Sequence, residues 1–299
     1  MRAVVTGGAG FIGSNLVDVL VARGDEVVVV DDLSSGKREL LNPGATFVER
    51  DIRRGIDAAG ARVVFHLAAQ ADVQTSMRRP AHDAAVNVVG TVEVLEAARA
   101  AGAHVVFSST GGAIYGECDG PAPEDSPLAP VSPYGIAKLC GEHYLSGWNR
   151  IHGSDHVVLR FANVYGPRQD SSLEGGVVSI FLERMARGDE TTIFGDGRQT
   201  RDFVYVGDVV AALLAAGEHE GGVYNVGTGK ETTVLGLHQA CAGVAGVASQ
   251  PRHEAARLGD ARRSVLDVSR AARELGWRAR TPLDDGLRRT WEWLAQEAA

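Results

Sequence analysis

Hydrophobic positions in the first half of the chain fall into short β-branched runs, separated by longer stretches with helical spacing. Residues 2–6, 26–31, 61–67, 104–108 and 156–161 are rich in Val, bounded by turn residues, and read as buried strands. Between them, residues 11–23 read as a helix ended by Gly24, and residues 88–101 as an Ala-rich helix closing at Gly102. Residues 134–150 set Ile136, Leu139, Tyr144 and Leu145 along one helical stripe. Strands alternating with helices predict an α/β fold, a doubly wound parallel sheet of the Rossmann type. After Asn163 the rhythm loosens: Gly, Pro and charge dominate residues 166–176, and helical stretches follow at 177–187, 206–216, 233–245 and 283–297. The pattern divides the chain into a first domain over residues 1–163, taking back part of 201–226, and a smaller C-terminal α/β lobe over 164–299. No internal repeat or low-complexity tract interrupts it.

Composition narrows the class. With 299 residues, 44% hydrophobic and 23% charged, the chain matches ordinary globular proteins and is long enough for a sizeable core. Its longest apolar runs, such as residues 27–30 and 209–216, fall far short of the roughly 20 residues of a bilayer span. Val4 and Val5 run straight into glycines, which is not the pattern of a signal peptide. A formal charge of −8 argues against a nucleic-acid partner, so an anionic ligand would need a local basic or amide-rich site. Cys118, Cys140 and Cys241 have neither zinc spacing nor a disulfide pattern, so no metal and a reducing cytoplasm are expected. Only three of the 30 basic residues are lysines: Lys37, Lys138 and Lys230.

Two local patterns carry chemistry. Gly7, Gly10 and Gly13 follow the first strand and open the first helix, where unpaired N–H groups and the positive dipole end receive a pyrophosphate. Asp31 and Asp32 end the second strand, 18 and 19 residues beyond Gly13. A carboxylate there binds a ribose diol and repels a 2′-phosphate, which favours NAD over NADP. A glycine triad alone is also a turn signature; the strand–turn–helix setting makes the difference. The second pattern is Tyr134 and Lys138, at i and i+4 on one helix face behind Pro133. A tyrosine is a poor base at neutral pH unless a cation stabilises its phenolate, and Lys138 is placed to do so. A chance surface pair is the plain alternative.

Together these motifs resemble the extended short-chain dehydrogenase/reductases, and several further blocks carry the likeness. The resemblance implies cofactor contacts at Gly7, Gly10, Phe11, Ile12, Gly13, Asp31, Asp32 and Leu33. Asp51 and Ile52 would meet the adenine edge, and Leu67, Ala68 and Ala69 the nicotinamide ribose. Asn87 would support the active site, with Ser108, Tyr134 and Lys138 completing the cofactor set. Thr110, in the block Ser108-Ser109-Thr110-Gly111-Gly112, best matches the family's relay hydroxyl, with Ser109 as the alternative. Glycines after Thr110 replace the acidic pair of the family's 4,6-dehydratases and the Glu of its decarboxylases.

Over nearly the whole chain the blocks are most similar to UDP-glucose (UDP-galactose) 4-epimerases. That likeness implies a UDP-sugar substrate, a 4-keto intermediate and retained NAD. It also implies a substrate set of Thr110, Asn163, Val177, Thr192, Phe194, Arg201, Arg257, Asp260 and Ser264. A small residue at Ser264 would leave room for an N-acetyl group, extending the range to UDP-GlcNAc and UDP-GalNAc. A homodimer pairing helices 88–101 and 134–150 is expected on the same ground. A UDP-glucuronate 4-epimerase, with Arg168 facing the carboxylate, another NAD-dependent sugar-nucleotide oxidoreductase, and a non-catalytic dinucleotide-binding scaffold are the alternatives.

Overall fold

The computed structural model describes residues 1–172, 176–256 and 261–297. Seven parallel strands form the central sheet: β1 (Arg2–Thr6), β2 (Glu26–Asp31), β3 (Thr46–Glu49), β4 (Val63–His66), β5 (His104–Thr110), β6 (Val157–Phe161) and β7 (Val223–Val226). Their order across the sheet is β7-β6-β5-β4-β1-β2-β3, the doubly wound arrangement. Strand periodicity explains the double cover: Ala3, Val5, Val27, Val29, Val63 and Phe65 enter one core, while Val4, Val28, Val30 and Val64 enter the other.

The first core is closed by α1 (Phe11–Ala22), through Leu16, Val17 and Leu20. The second is closed by α2 (Gly90–Ala101), through Val94, Leu95 and Ala98, and by Leu145 of α3 (Pro133–His152). Helix α3 starts with Ser132 capping the Gly135 amide and Pro133 in the first turn, and ends at Gly153 with φ +63°. The apolar stripe predicted for this helix is corrected. Leu145 is buried, but Ile136 is 51% and Tyr144 41% exposed. The buried face instead carries Gly135, Ala137, Lys138, Gly141 and Glu142. A Cβ on Gly141 would lie 2.7 Å from the Phe107 ring, and one on Gly135 2.4 Å from the Ala113 carbonyl oxygen. Small residues bring α3 against β5 closely enough to bury a lysine between them.

The edge strand β3 has no buried alternation and is absent from the predicted strands. The short helices Val73–Arg78 and Pro80–Ala84 also lacked a long enough period. A π-helical turn, Ala85–Val89, precedes α2 and carries Asn87.

The C-terminal part adds α4 (Val177–Arg187), α5 (Val206–Ala216), α6 (Val234–Ala245), α7 (Leu283–Glu297) and three small sheets. Helix α5 returns to the first core through Val209, Ala212 and Leu213. Tyr165, Phe181, Leu182, Ile193, Leu237 and Leu287 form a third core beneath α4, α6 and α7. No helix among the described residues is long and apolar enough to cross a membrane.

Candidate active site

One cleft of about 1870 Å³ runs across the C-terminal ends of the strands, at the point where strand order reverses between β1 and β4. A single drug-sized ligand occupies roughly 300–1,000 Å³, so this cleft has room for a dinucleotide and a second ligand.

Backbone shapes the end of the cleft near β1 and β2. Gly7 has φ +73°, and a Cβ there would meet the Ala68 nitrogen at 2.6 Å; one on Gly13 would lie 2.1 Å from the Gly7 oxygen. Gly10 caps α1 without a side-chain hydrogen bond, leaving the first-turn amides of Phe11, Ile12 and Gly13 facing the cleft. Buried Asp31 accepts from the Ala9 amide at 3.0 Å and the Leu33 amide at 2.9 Å, which ties β2 to the glycine loop. Burial raises its carboxyl above the usual range, and those two amides pull it back. Each oxygen keeps a lone pair for a ribose hydroxyl.

Exposed Asp32 accepts from the Ser34 amide. Asp51 caps the turn holding Ile52 and takes a two-pronged bond from Arg53 at 2.9 and 2.5 Å, which lowers its carboxyl below the usual range. Asp31, Asp32, Asp51, Ile52, Leu67, Ala68 and Ala69 line the cleft. Leu33, in a left-handed turn with φ 56°, does not. These open amides, the crowded glycines and the Asp31 carboxylate fit the pyrophosphate and diol of NAD.

The other end is built from ionisable side chains. Lys138 is 3% exposed; its Nζ donates to the Ser108 carbonyl oxygen at 2.8 Å and lies 6.0 Å from the centre of the Tyr134 ring. Burial pushes Lys138 down to about 8, opposed by the carboxylates of Asp83 and Glu142. Burial pushes the Tyr134 phenol well above its ordinary value, and Asp83 adds to the rise.

The two candidate hydroxyls separate by their hydrogen bonds. Ser109 lines the cleft, but its hydroxyl is engaged, donating to Glu142 Oε1 at 2.5 Å. Thr110 lines the cleft, and its hydroxyl has no hydrogen bond to any described residue. Ser108 lines the cleft too, its hydroxyl donating to the His66 carbonyl oxygen at 3.1 Å. His66 is held between Thr6 and Thr91 hydroxyls, and burial pushes it down to about 3, so it is neutral at physiological pH.

Of the residues expected to hold substrate, Thr110, Asn163, Phe194 and Arg201 line the same cleft. Val177 and Thr192 stand beside its walls without lining it, although Gly176 and Phe194 do. Ser264 is buried opposite Arg201 in a small parallel pair of strands and does not line the cleft either. Arg257 and Asp260 lie outside the described residues. Arg168 lines the cleft but pairs with Asp18 of α1 at 2.6 Å, which commits it to the α1 side. Asn87 does not reach the cleft. Its amide donates to the Gln70 carbonyl oxygen and Asp83 Oδ1, and its oxygen accepts from the Gln70 amide, so it fixes the loop after β4.

Three important residues are missing from the set read off the sequence. Gln70 lines the cleft; Asp83 is buried beneath it. Glu142, four residues beyond Lys138, makes a buried two-pronged pair with Arg160 of β6, at 3.0 and 2.6 Å. Its i+4 spacing was a legible signal for a shared helix face. Asp83 had no comparable signal.

Residues 3–227 match the NAD dependent epimerase/dehydratase family. The chain belongs to that family. It is 46% identical to a UDP-glucose 4-epimerase of Mycolicibacterium smegmatis, over the full length of both chains. Among solved structures, a UDP-glucose 4-epimerase of Thermotoga maritima with UDP-glucose superposes with a TM-score of 0.96 at 47% identity, covering 100% of both chains. A UDP-glucose 4-epimerase of Thermus thermophilus in complex with NAD superposes at 0.91 with 42% identity, covering 99% of each.

Proposed function

We propose that the protein is an NAD-dependent 4-epimerase of UDP-hexoses, interconverting UDP-glucose and UDP-galactose. The observation that carries this reading is the Tyr134–Lys138 pair sharing one cleft with the unengaged Thr110 hydroxyl, a cleft with room for a dinucleotide and a second ligand. NAD supplies hydride acceptance and return at the sugar C4. Tyr134 takes the C4 hydroxyl proton at its Oη, with Thr110 as relay, and Lys138 stabilises the resulting phenolate. Asn163 and Arg201 are the residues proposed to hold the diphosphate; a guanidinium matches phosphate geometry with paired charge-assisted bonds. Phe194 offers an aromatic face for uracil. The short helix Gly111–Ile114 that follows Thr110 opens with two glycines in place of an acid, which supports reversible oxidation over dehydration.

The third core supports the division into an NAD-binding domain over residues 1–163, with part of 201–226, and a UDP-sugar lobe over 164–299. Exposed Val89, Ile136 and Tyr144 on the π-turn and α3 support a homodimer joined through α2 and α3. Light scattering of the purified protein measures that directly.

Purified protein supplied with UDP-glucose, UDP-GlcNAc and UDP-glucuronate in turn, with bound NAD quantified, tests the function. Formation of UDP-galactose without net nicotinamide reduction is the expected result. Stoichiometric nicotinamide reduction, or no turnover of UDP-glucose, overturns it. The UDP-GlcNAc arm tests the wider range, and its absence confines the enzyme to unacetylated hexoses.

A further inference from the structure

Behind the Tyr134–Lys138 pair sits a carboxylate that neither the motif reading nor the proposed reaction uses. Asp83, on the short helix Pro80–Ala84, is 1% exposed. Its Oδ1 accepts from Gln70 Nε2 at 2.8 Å and from Asn87 Nδ2 at 3.0 Å. Its Oδ2 is buried and has no hydrogen-bond partner among the described residues. A buried, half-satisfied carboxylate is expensive unless a compensating charge is close. The helix Pro80–Ala84 packs against α3, and the cation that α3 buries on its inner face is Lys138, 3% exposed and bonded to a single carbonyl. Half-buried His82 of Asp83's own helix is the other positive neighbour that acts on the carboxylate.

We propose that Asp83 is the countercharge of Lys138, a positioning residue that keeps the ammonium protonated in its dry site while fixing the loop at Gln70. This rests on reading Tyr134 and Lys138 as the catalytic pair. The groups facing Lys138 are few. Asp83 comes from the helix Pro80–Ala84, Tyr134 and Glu142 from its own helix, and neutral His66 from β4. Glu142 is already ion-paired with Arg160 of β6, so among the described residues Asp83 is the carboxylate acting on Lys138 that has no ion-pair partner of its own. That charge also opposes a bare phenolate at Tyr134. The arrangement therefore holds the pair as phenol plus ammonium until further positive charge and the sugar hydroxyl arrive, which suits a base that must return its proton each turnover.

Asp83→Asn is a clean probe. The amide oxygen can keep both accepted hydrogen bonds, while its NH2 replaces the oxygen that had no partner. Only the charge is removed. The chain has three lysines, so 15N-labelled lysine in the NAD-bound protein gives three side-chain signals, with Lys37→Arg and Lys230→Arg variants identifying the other two. Lys138 is expected to lose its proton at least one pH unit lower in Asp83→Asn than in the parent protein, a tenfold change in its acid constant. The alkaline limb of kcat should move down by the same interval, with KM changed less than twofold. Coincident Lys138 titrations overturn the proposal. If Asp83→Asn does not fold, the parent protein decides. Its Lys138 signal should show a step at acid pH, above the usual carboxylate range, where Asp83 takes up a proton; a flat signal there overturns the proposal. The lysine signals need no turnover, so they read Asp83 even if the assigned reaction is wrong.

Discussion

The two ends of the cleft are made from different materials. Near β1 and β2 the surface is backbone: crowded glycines, open amides and an Asp31 carboxylate bonded to two of them. Near β5 and α3 it is side chain: Tyr134 and Lys138, with the buried carboxylates of Asp83 and Glu142 behind them. The first end works by excluding atoms, so it should fail when volume is added. The second works by holding charge where water is absent, so it should fail when charge or a proton carrier is removed. One sheet provides both because every strand delivers its C-terminal end to the same edge.

Variants at each end separate these two modes of failure. The largest effect is expected for Tyr134→Phe, which removes the proton carrier and leaves the shape. Turnover of UDP-glucose should fall by about 10³-fold while bound NAD stays at the parent level, since general acid–base groups contribute roughly 10²–10⁴-fold. Loss of NAD in that variant would place Tyr134 among the binding residues instead.

Glu142→Ala comes next. It strands the Arg160 guanidinium in a buried setting, and breaking such a pair costs about 3–5 kcal/mol, read as a fall in denaturation midpoint. A shift no larger than that of a surface variant would show that the pair is not what holds α3 to β6. At the opposite end, Gly13→Ala adds one methyl 2.1 Å from the Gly7 oxygen. Overpacking of this kind costs about 1–3 kcal/mol, and here the distortion falls on the loop itself, so the protein should purify without NAD. NAD retained at full occupancy would refute the steric account of that end.

A finer comparison sets Thr110→Ala against Ser109→Ala. Thr110, open to the cleft, should lower kcat by about 10²-fold with little change in melting. Ser109, bonded to Glu142, should do the reverse, since losing a hydrogen bond to a charged group costs about 1.5–3 kcal/mol. The smallest effect belongs to Lys37→Ala. Its bond to Asp170 at 2.7 Å is exposed on the lysine side and worth about 0.2–1 kcal/mol, diminishing with salt.

How much of this was legible in advance follows the same division. The glycine loop is written in consecutive residues, because a strand, a tight turn and a helix start are all local. Gly7, Gly10, Gly13 and Asp31 could therefore be placed from spacing alone. Tyr134 and Lys138 were legible for a related reason, since i and i+4 always share a helix face. The stripe of Ile136 and Tyr144 misled, because apolar spacing cannot say which face a helix buries when glycines and alanines permit a closer approach on the other side. Leu33, Val177, Thr192 and Ser264 fall beside the cleft and not on it, since whether a loop residue turns inward is set by its neighbours in space.

The sequence by itself determined the parallel sheet, the dinucleotide loop and the tyrosine–lysine pair, all of which arise from short-range periodicity and sterics. Only the tertiary structure decided which hydroxyl is open, that Glu142 belongs to Arg160, and that the helix of Asp83 packs against the helix of Lys138. Those partners are separated by 18 and 55 residues. What brings them together is the docking of apolar helix faces on the sheet, which excludes water and leaves each buried charge dependent on a distant partner.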